Sequence, residues 1–201
     1  KGFFLGFAFV VLYLLSVEHN LLYLFGASPS LDKLENPRSD QASELYTSDG
    51  QLIGKYFKEN RSPVAYTKMS PMLIKALVAT EDVRFYEHAG IDPEAIASAV
   101  YGSVKGDARG ASTITQQLAK NLYKTRTNDS KGVLGHIPGI NLVISKTKEW
   151  LTAIKLEQRY TKDEILAMYL NTVDFGSNSF GIKVASKTFF NTSPDSLKIE
   201  Q

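Results

Sequence analysis

The chain has 201 residues, of which 43% are apolar and 22% are charged, a composition typical of a globular protein rather than a disordered one. Its net charge of +2 is too small to indicate general nucleic-acid binding. It contains no cysteine and three histidines, which excludes disulfides, thiolate metal sites and cysteine nucleophiles and argues against a histidine-rich metal centre. We expect one domain with its own core plus an appendage.

The N-terminal segment is strongly apolar. Residues 2–17 carry no charge, and residues 21–25 add a second apolar stretch. Taken as one helix, residues 2–25 would be about 36 Å long, enough to cross the core of a bilayer. A cleaved signal peptide and a buried core helix are the alternatives, but the cleavage site is poor and no polar stripe is present. We expect a single-pass anchor at residues 1–25, with Lys1 on the cytoplasmic side.

The composition changes after this segment. Residues 26–43 are rich in serine, proline, asparagine and charge, which is typical of a linker. Asp49 and Gly50 then stand between two β-prone runs, a strong signal for a β-hairpin. We therefore expect a hairpin with its connecting segment at residues 44–66, followed by a domain at residues 67–201.

The remainder of the chain is predicted to be mainly α-helical. Capping residues and proline at first helical positions indicate where several helices begin. The expected helices are 72–80, 94–104, 113–123, 145–160, 164–171 and 181–190. The stretch 125–141 contains four glycines or prolines and predicts a long, mobile loop. The chain begins without methionine and its last residues are predicted to lie inside a helix, so we expect a C-terminally truncated piece of a longer protein.

The first of four notable residue clusters follows the helix predicted at 72–80. Glu81 and Asp82 stand together at a helix end, and Phe85 and His88 follow them. An acidic pair at a helix terminus is usually solvated, and a lone histidine is usually structural. This cluster alone is therefore a weak sign of function.

The second cluster lies at residues 110–121. Ser112 and Thr113 stand at a helix start, where backbone N–H groups point outward, and three polar side chains follow within about one turn, namely Gln117, Lys120 and Asn121. Such an arrangement is a natural anion site, for which pyrophosphate and sugar hydroxyls are suitable ligands. The alternative is a well-capped surface helix.

The third and fourth clusters lie on later helices. Lys146 and Glu149 are three residues apart and so share one helix face, although a solvated charged helix is the alternative. Residues 165–171 place apolar side chains at positions typical of a core.

Together the four clusters closely resemble the peptidoglycan glycosyltransferases (family 51 glycosyltransferases), a module that occurs alone or at the front of class A penicillin-binding proteins. The family patterns EDxxFxxHxG, GxSTITQQLxKN, KxxExxxAxxLE and ILxxYLN are met at residues 81–90, 110–121, 146–157 and 165–171. The resemblance runs from about residue 70 to the end of the chain. One position departs from the family: Ser145 stands where an arginine is usual, so a cation expected near the phosphates is missing, and Lys148 or Arg126 would have to replace it.

The resemblance implies a lysozyme-like domain that joins lipid II units into β-1,4 glycan strands with inversion of configuration. Glu81 matches the catalytic base and Glu149 the second catalytic glutamate. The implied substrate-binding residues are Ser112, Thr113, Gln117, Lys120, Asn121 and Lys146, and the implied supporting residues are Asp82, Phe85 and His88. No residue is assigned to a metal, although a divalent cation such as Mg²⁺ would be a suitable cofactor beside the pyrophosphate.

The implied location is the outer side of the bacterial cytoplasmic membrane. The expected partners are lipid II, the growing strand and the bilayer, with a C-terminal transpeptidase domain and other cell-wall synthesis proteins beside them, and no nucleic acid. The loop at 125–141 is expected to enter lipid or close over the donor. Two alternative functions are a lysozyme-like glycan hydrolase and a non-catalytic scaffold; the presence of Glu81 and Glu149 argues against the scaffold, whereas Ser145 leaves a weakened domain open.

Overall fold

The computed structural model of the chain describes residues 2–28, 43–56, 63–106, 110–123 and 131–201. Within these ranges it contains seven α-helices and two β-strands, so the mainly α fold class is confirmed. The helices are α1 (Gly2–Glu18), α2 (Pro71–Glu81), α3 (Pro93–Val104), α4 (Ile114–Tyr123), α5 (Ile140–Arg159), α6 (Lys162–Thr172) and α7 (Ile182–Phe190), and the strands are β1 (Ser43–Tyr46) and β2 (Leu52–Tyr56).

The chain divides into two compact units. The first comprises residues 1–35 and 87–159 and contains α1, α3, α4 and α5. The second comprises residues 36–86 and 160–201 and contains both strands, α2, α6 and α7. The division into anchor, linker, hairpin segment and domain stays a prediction.

In the first unit, the prediction of one helix over residues 2–25 is wrong. The helix α1 ends at Glu18 because Asn20 and Leu22 adopt positive φ angles of 47° and 53°, which stop a right-handed helix. The chain then folds back, and the N–H of Phe25 donates to Asn20 Oδ1 at 3.2 Å. At 1.5 Å per residue α1 is about 25 Å long.

The described helices do not support the predicted membrane anchor at residues 1–25. Among the residues that the structure describes, no helix is both long enough and apolar enough to cross a membrane.

The core of the first unit joins α1 to α5. Val17, Phe25 and Ile144 form a buried cluster, against which four half-buried side chains pack, namely Tyr13, Leu24, Leu134 and Leu151. Gly26, the first residue of the predicted linker, is buried. Residues 29–42, which make up nearly all of that linker, lie outside the described residues.

The predicted loop at 125–141 is corrected in its second half. Residues 124–130 lie outside the described part of the chain. Beyond them Val133–His136 forms a 3₁₀ turn, and α5 begins at Ile140 rather than at 145. The N–H of Leu134 donates to the carbonyl of Leu24 at 2.9 Å, so this half of the loop is ordered against α1 and its following turn. Such packing counts against a mobile lid here, because burial of Leu134 opposes opening.

In the second unit, β1 and β2 pair antiparallel, with Ser43 opposite Tyr56 and Glu44 opposite Lys55. The turn between them is the one expected at Asp49 and Gly50, and the register shifts after Leu45. Both strands are short, and a two-stranded sheet of this length adds little stability by itself.

The helices of the second unit begin as their sequences predict. The hydroxyl of Ser70 accepts a hydrogen bond from the N–H of Met72 at the start of α2, and Pro71 occupies the first helical position. Thr161 and Glu164 form a complete capping box at the start of α6. The apolar residues of the fourth motif are buried, which confirms that they belong to a core: Ile165, Leu166, Tyr169 and Leu170.

The segment that leads into α2 is fixed at both of its ends. The side chain of Asn171 clamps the backbone of Val64 with two hydrogen bonds of 2.8 Å, one donated and one accepted. At the other end, Ser70 Oγ donates to the carbonyl of Leu197 at 2.9 Å. These contacts fix where α2 begins, and Glu81 is the last residue of that helix.

Candidate active site

Gly90, the last residue of the first motif, joins the second and third motifs in the first unit. Its φ is +90°, and a Cβ at this position would lie 2.8 Å from the carbonyl carbon and oxygen of Ala153 in α5. Its own carbonyl accepts hydrogen bonds from Thr113 Oγ1 at 2.8 Å and Gln116 Nε2 at 3.2 Å. Only glycine fits here, because the backbone conformation is left-handed and the neighbouring backbone is in contact.

The start of α4 is held by this glycine. Thr113 Oγ1 accepts a hydrogen bond from the N–H of Gln116 at 3.1 Å, which is one half of the predicted capping box. The other half is wrong, because the Gln116 side chain donates to Gly90 instead of returning to Thr113. The positive end of the α4 dipole lies at this point.

Lys146 of α5 contacts Ser112, which precedes the capping residue Thr113 of α4. Its Nζ donates to Ser112 Oγ at 2.7 Å and to Glu149 Oε2 at 3.0 Å. Glu149 is 1% exposed, whereas Lys146 is 31% exposed. The buried carboxylate thus orients an ammonium that remains accessible, and the predicted pairing of these two residues on one face of the helix is confirmed.

A second contact between α4 and α5 was not predicted. The hydroxyl of Thr115 donates to Glu157 Oε1 at 2.6 Å, and Thr115 is fully buried. Both residues belong to the family patterns, and membership of those patterns is the signal that could have indicated them. The contact fixes the spacing of the two helices that carry Ser112 and Lys146.

The remaining predicted substrate-binding residues lie farther along α4. Gln117 and Asn121 are half-buried, and Lys120 is exposed. His88 is half-buried, and its Nδ1 accepts a hydrogen bond from the N–H of Gly90 at 3.2 Å, which agrees with a supporting role.

The departure at Ser145 has a clear structural form. Ser145 is buried, and its hydroxyl donates to Asn141 Oδ1 at 3.3 Å. Lys148 does not replace the missing cation, since its side chain is 1% exposed and its Nζ donates to the carbonyl of Ala27 at 3.1 Å. The view of α5 as a helix with solvated lysines is therefore wrong at this position. Arg126 lies outside the described residues.

In the second unit, Glu81 is exposed at the end of α2. Asp82 and Phe85 are buried, and Lys162 Nζ lies 4.3 Å from the centre of the Phe85 ring. Burial and, to a smaller extent, the negative charge of Glu81 together raise the pKa of Tyr169 to about 12. The phenol of Tyr169 is therefore protonated near neutral pH, and the Glu81 carboxylate is close enough to influence it electrostatically.

The structure thus brings three of the predicted residues into direct contact in the first unit, Ser112, Lys146 and Glu149. It places Glu81, Asp82 and Phe85 around the end of α2 in the second unit. The first group contains an accessible ammonium beside a hydroxyl, and the second contains an exposed carboxylate.

Comparison with known proteins identifies the family. The family model described as Transglycosylase matches residues 49–201. The chain is 36% identical over 181 residues to penicillin-binding protein 1A of Escherichia coli (strain K12), an alignment that covers 89% of this chain and 20% of that protein. It is 37% identical over 162 residues to penicillin-binding protein 1F of Bacillus subtilis (strain 168), covering 80% of this chain and 21% of that protein.

A third relative extends the pattern. Penicillin-binding protein 2D of Bacillus subtilis (strain 168) is 40% identical over 153 residues, covering 75% of this chain and 20% of that protein. The chain therefore spans about a fifth of the length of the curated relatives it matches. On the strength of its motifs, its fold and these matches, the chain belongs to the transglycosylase family, the peptidoglycan glycosyltransferases.

Proposed function

We propose that this domain polymerises lipid II into β-1,4 glycan strands with inversion at the anomeric carbon. The 4-hydroxyl oxygen of the acceptor sugar forms a bond to C1 of the donor, and the bond from C1 to the pyrophosphate oxygen breaks. The proton of that hydroxyl passes to a carboxylate, and undecaprenyl pyrophosphate leaves with the bonding electron pair. A single displacement of this kind needs one base and one group that neutralises the leaving anion.

The observation that carries this proposal is the contact of Lys146 with Ser112, which lies two residues before α4. An accessible ammonium, a hydroxyl and the positive end of a helix dipole lie together, which suits a pyrophosphate ligand. The buried carboxylate of Glu149 keeps the ammonium in this position. A glycan hydrolase acts on a sugar leaving group and has no need of such an anion site, so the arrangement favours transfer from a pyrophosphate donor.

We assign the base to Glu81. Its carboxylate is exposed at the end of a helix whose start is fixed by Ser70, so its position is defined while it remains open to an acceptor hydroxyl. Because the phenol of Tyr169 stays protonated, it adds no second base that would compete with Glu81 for the proton of the acceptor hydroxyl. Asp82 and Phe85, both buried, support the turn that follows.

A divalent cation such as Mg²⁺ would supply further neutralisation of the pyrophosphate when it is bound. In the first unit the buried Glu149 carboxylate already contacts the Lys146 ammonium, so the residues there fit a cation that arrives with the pyrophosphate better than one resident in the protein. The chain's own part is to hold the anion through Lys146 and Ser112.

The substrate places the domain at a bilayer surface, because lipid II and the growing strand both carry a polyprenyl tail. The apolar side chains along α1 support contact with lipid, since many of them are exposed in the structure, including Phe4, Leu5, Phe7, Phe9, Leu12 and Leu15. We propose the outer side of the bacterial cytoplasmic membrane as the location. Because the relatives are named penicillin-binding proteins, we also propose that glycosyl transfer is coupled to a transpeptidase in the whole protein.

The test is polymerisation of purified lipid II by the chain in detergent micelles, compared with Glu81→Gln and with Glu87→Gln as the matched control. Glu87 is also exposed and stands at a position that no family pattern specifies. We expect Glu81→Gln to lose at least ~10²-fold in rate, because removal of a general base typically costs 10²- to 10⁴-fold, while Glu87→Gln retains parental activity.

Two outcomes would contradict the proposal. A parent protein that is inert with lipid II but cleaves preformed glycan would establish the hydrolase alternative. A Glu81→Gln variant that polymerises at the parental rate would remove Glu81 from the role of base.

A further inference from the structure

A fully buried lysine lies on the side of α5 that is turned away from the candidate anion site. Lys148 is 1% exposed, and its Nζ donates to the carbonyl of Ala27 at 3.1 Å. It shares a helix face with Ile144 and Leu151, which pack into the apolar cluster formed with Val17 and Phe25. Burial of an ammonium lowers the stability of the folded state unless the charge is paired and hydrogen-bonded. None of the steps proposed above uses Lys148.

The group that Lys148 holds is a rigid turn. Residues 24–28 follow α1, and Leu134 donates to the carbonyl of Leu24 at 2.9 Å. A Cβ on Gly132 would lie 2.2 Å from the nitrogen of Gly26, so the two backbones are in direct contact. The hydroxyl of Ser28 donates to the carbonyl of Val17 at 3.2 Å. The turn is thus fixed on α1 and on residues 132–134, and it offers α5 a stationary acceptor.

The opposite side of the same helix carries the pair that contacts Ser112. Residues 146 and 148 are about 200° apart around a helix with 3.6 residues per turn. The ends of side chains lie about 6 Å from the helix axis, so a rotation of 10° moves them by about 1 Å. A shift of that size would lengthen the 2.7 Å hydrogen bond from Lys146 to Ser112 beyond its useful range.

We propose that Lys148 is a positioning residue for the Lys146–Glu149 pair, which it holds by fixing the rotation of α5 against the turn at residues 24–28. The N-terminal helix and its turn are then part of the framework of the anion site rather than an attachment alone. This inference rests on the proposed function only in that the positioned pair is the proposed pyrophosphate site.

The first test is Lys148→Met in the full chain in detergent micelles, with Lys155→Met as the matched control. Lys155 lies on the same helix and forms an ion pair with Glu18 of α1, but both side chains are about one-quarter exposed, 26% and 25%. Three quantities are measured: the urea midpoint of unfolding, the affinity for inorganic pyrophosphate, and the ¹⁵N chemical shift of the Lys146 ammonium.

For Lys148→Met we expect an unfolding midpoint no lower than that of the parent, because an apolar side chain of similar length replaces a buried amine. At the same time we expect pyrophosphate affinity to fall about tenfold or more and the Lys146 signal to move, since a displacement of about 1 Å is enough to impair a positioned group. Lys155→Met leaves affinity and signal unchanged. A merely structural lysine would alter the midpoint without altering the Lys146 signal.

A second variant restores the amine. The chain has no cysteine, so Lys148→Cys can be modified at that residue alone in denaturant and refolded. Aminoethylation rebuilds a side chain close to lysine and should recover affinity, whereas alkylation with a propyl group, which has the same length without the amine, should not. Equal affinity of the two modified proteins would overturn the proposal.

The two proposals can fail separately. If the parent neither binds pyrophosphate nor polymerises lipid II, the proposed function fails, while the Lys146 signal in Lys148→Met still decides the positioning role. If the parent is active and Lys148→Met keeps both its pyrophosphate affinity and the parental Lys146 signal, the positioning role alone is overturned.

Discussion

Lys146 and Lys148 lie two residues apart on one helix and have opposite environments. Lys146 is partly exposed and contacts a carboxylate and a hydroxyl, whereas Lys148 is buried and contacts a backbone carbonyl. Burial lowers the pKa of Lys148 from an ordinary value near 10.5 to about 8. The same residue type is thus accessible to solvent on one side of α5 and buried on the other.

The difference shows how a helix can serve a site and a core together. The face with Glu149 carries a carboxylate and an ammonium that neutralise each other. The face with Ile144 and Leu151 is apolar, and the buried amine of Lys148 on it donates to the carbonyl of Ala27. Our proposal is that function on the first face depends on the fixed packing of the second.

The largest effect is expected from removing the charge on the site face. Lys146→Met should lower the rate of lipid II polymerisation by about 10²- to 10³-fold, which corresponds to about 3–4 kcal/mol, because a positioned group that stabilises a leaving anion is lost. Lys105→Met, at an exposed lysine of the same unit, is the control and should retain parental activity. Equal activity of the two variants would mean that the two faces of α5 do not differ in function.

The next effect concerns the glycine on which α5 rests. Gly90→Ala should lower the free energy of unfolding by about 3 kcal/mol, because a Cβ would meet the backbone of Ala153 and φ is +90°. Gly106→Ala is the matched control, since its φ is +81° and nothing lies within 4 Å of the added Cβ. It should cost only about 1 kcal/mol. Urea unfolding gives the loss of unfolding free energy in each variant, and the difference between the two losses measures the steric clash at Gly90. Similar losses in the two variants would contradict the close contact of Gly90 with Ala153.

A smaller effect is expected in the pH dependence of stability. Between pH 8 and 10 the unfolded chain still carries a proton on Lys148, whereas the folded chain has released it, so the contribution of Lys148 to stability rises with pH. From pH 7.5 to 9.5 this contribution is about 2 kcal/mol. It should be absent in Lys148→Met, and subtraction of the two urea-unfolding series cancels all other groups. A variant with the same pH dependence as the parent would show that the Lys148 pKa is not lowered.

The smallest effect on stability is expected at the partly exposed ion pair between Lys155 of α5 and Glu18 of α1. Lys155→Met removes a partly exposed ion pair with Glu18 and should change the free energy of unfolding by less than about 1 kcal/mol. The change should shrink further at 1 M salt, where exposed charges are screened. A loss that persists at high salt would place this pair with the buried contacts of α5.

Much of the fold followed from local rules in the sequence. Ser70 with Pro71 and Thr161 with Glu164 begin their helices as predicted, because capping satisfies backbone groups within a few residues. The spacing of Lys146 and Glu149 predicted a shared helix face for the same reason. The family patterns added the candidate roles, and the match of the family model to residues 49–201 established the family.

Other features depended on contacts between distant parts of the chain. Apolar composition alone could not show that α1 ends at Glu18, because the fold-back depends on Phe25 reaching Tyr13 and the core. Nor could it show that Lys148 is buried, since its acceptor at Ala27 lies 121 residues away in sequence. The sequence by itself predicted most of the helices through periodicity and capping, and its motifs indicated the family by resemblance. Only the tertiary structure decided which of two neighbouring lysines stays accessible and which one is buried, because burial is a property of the packed chain.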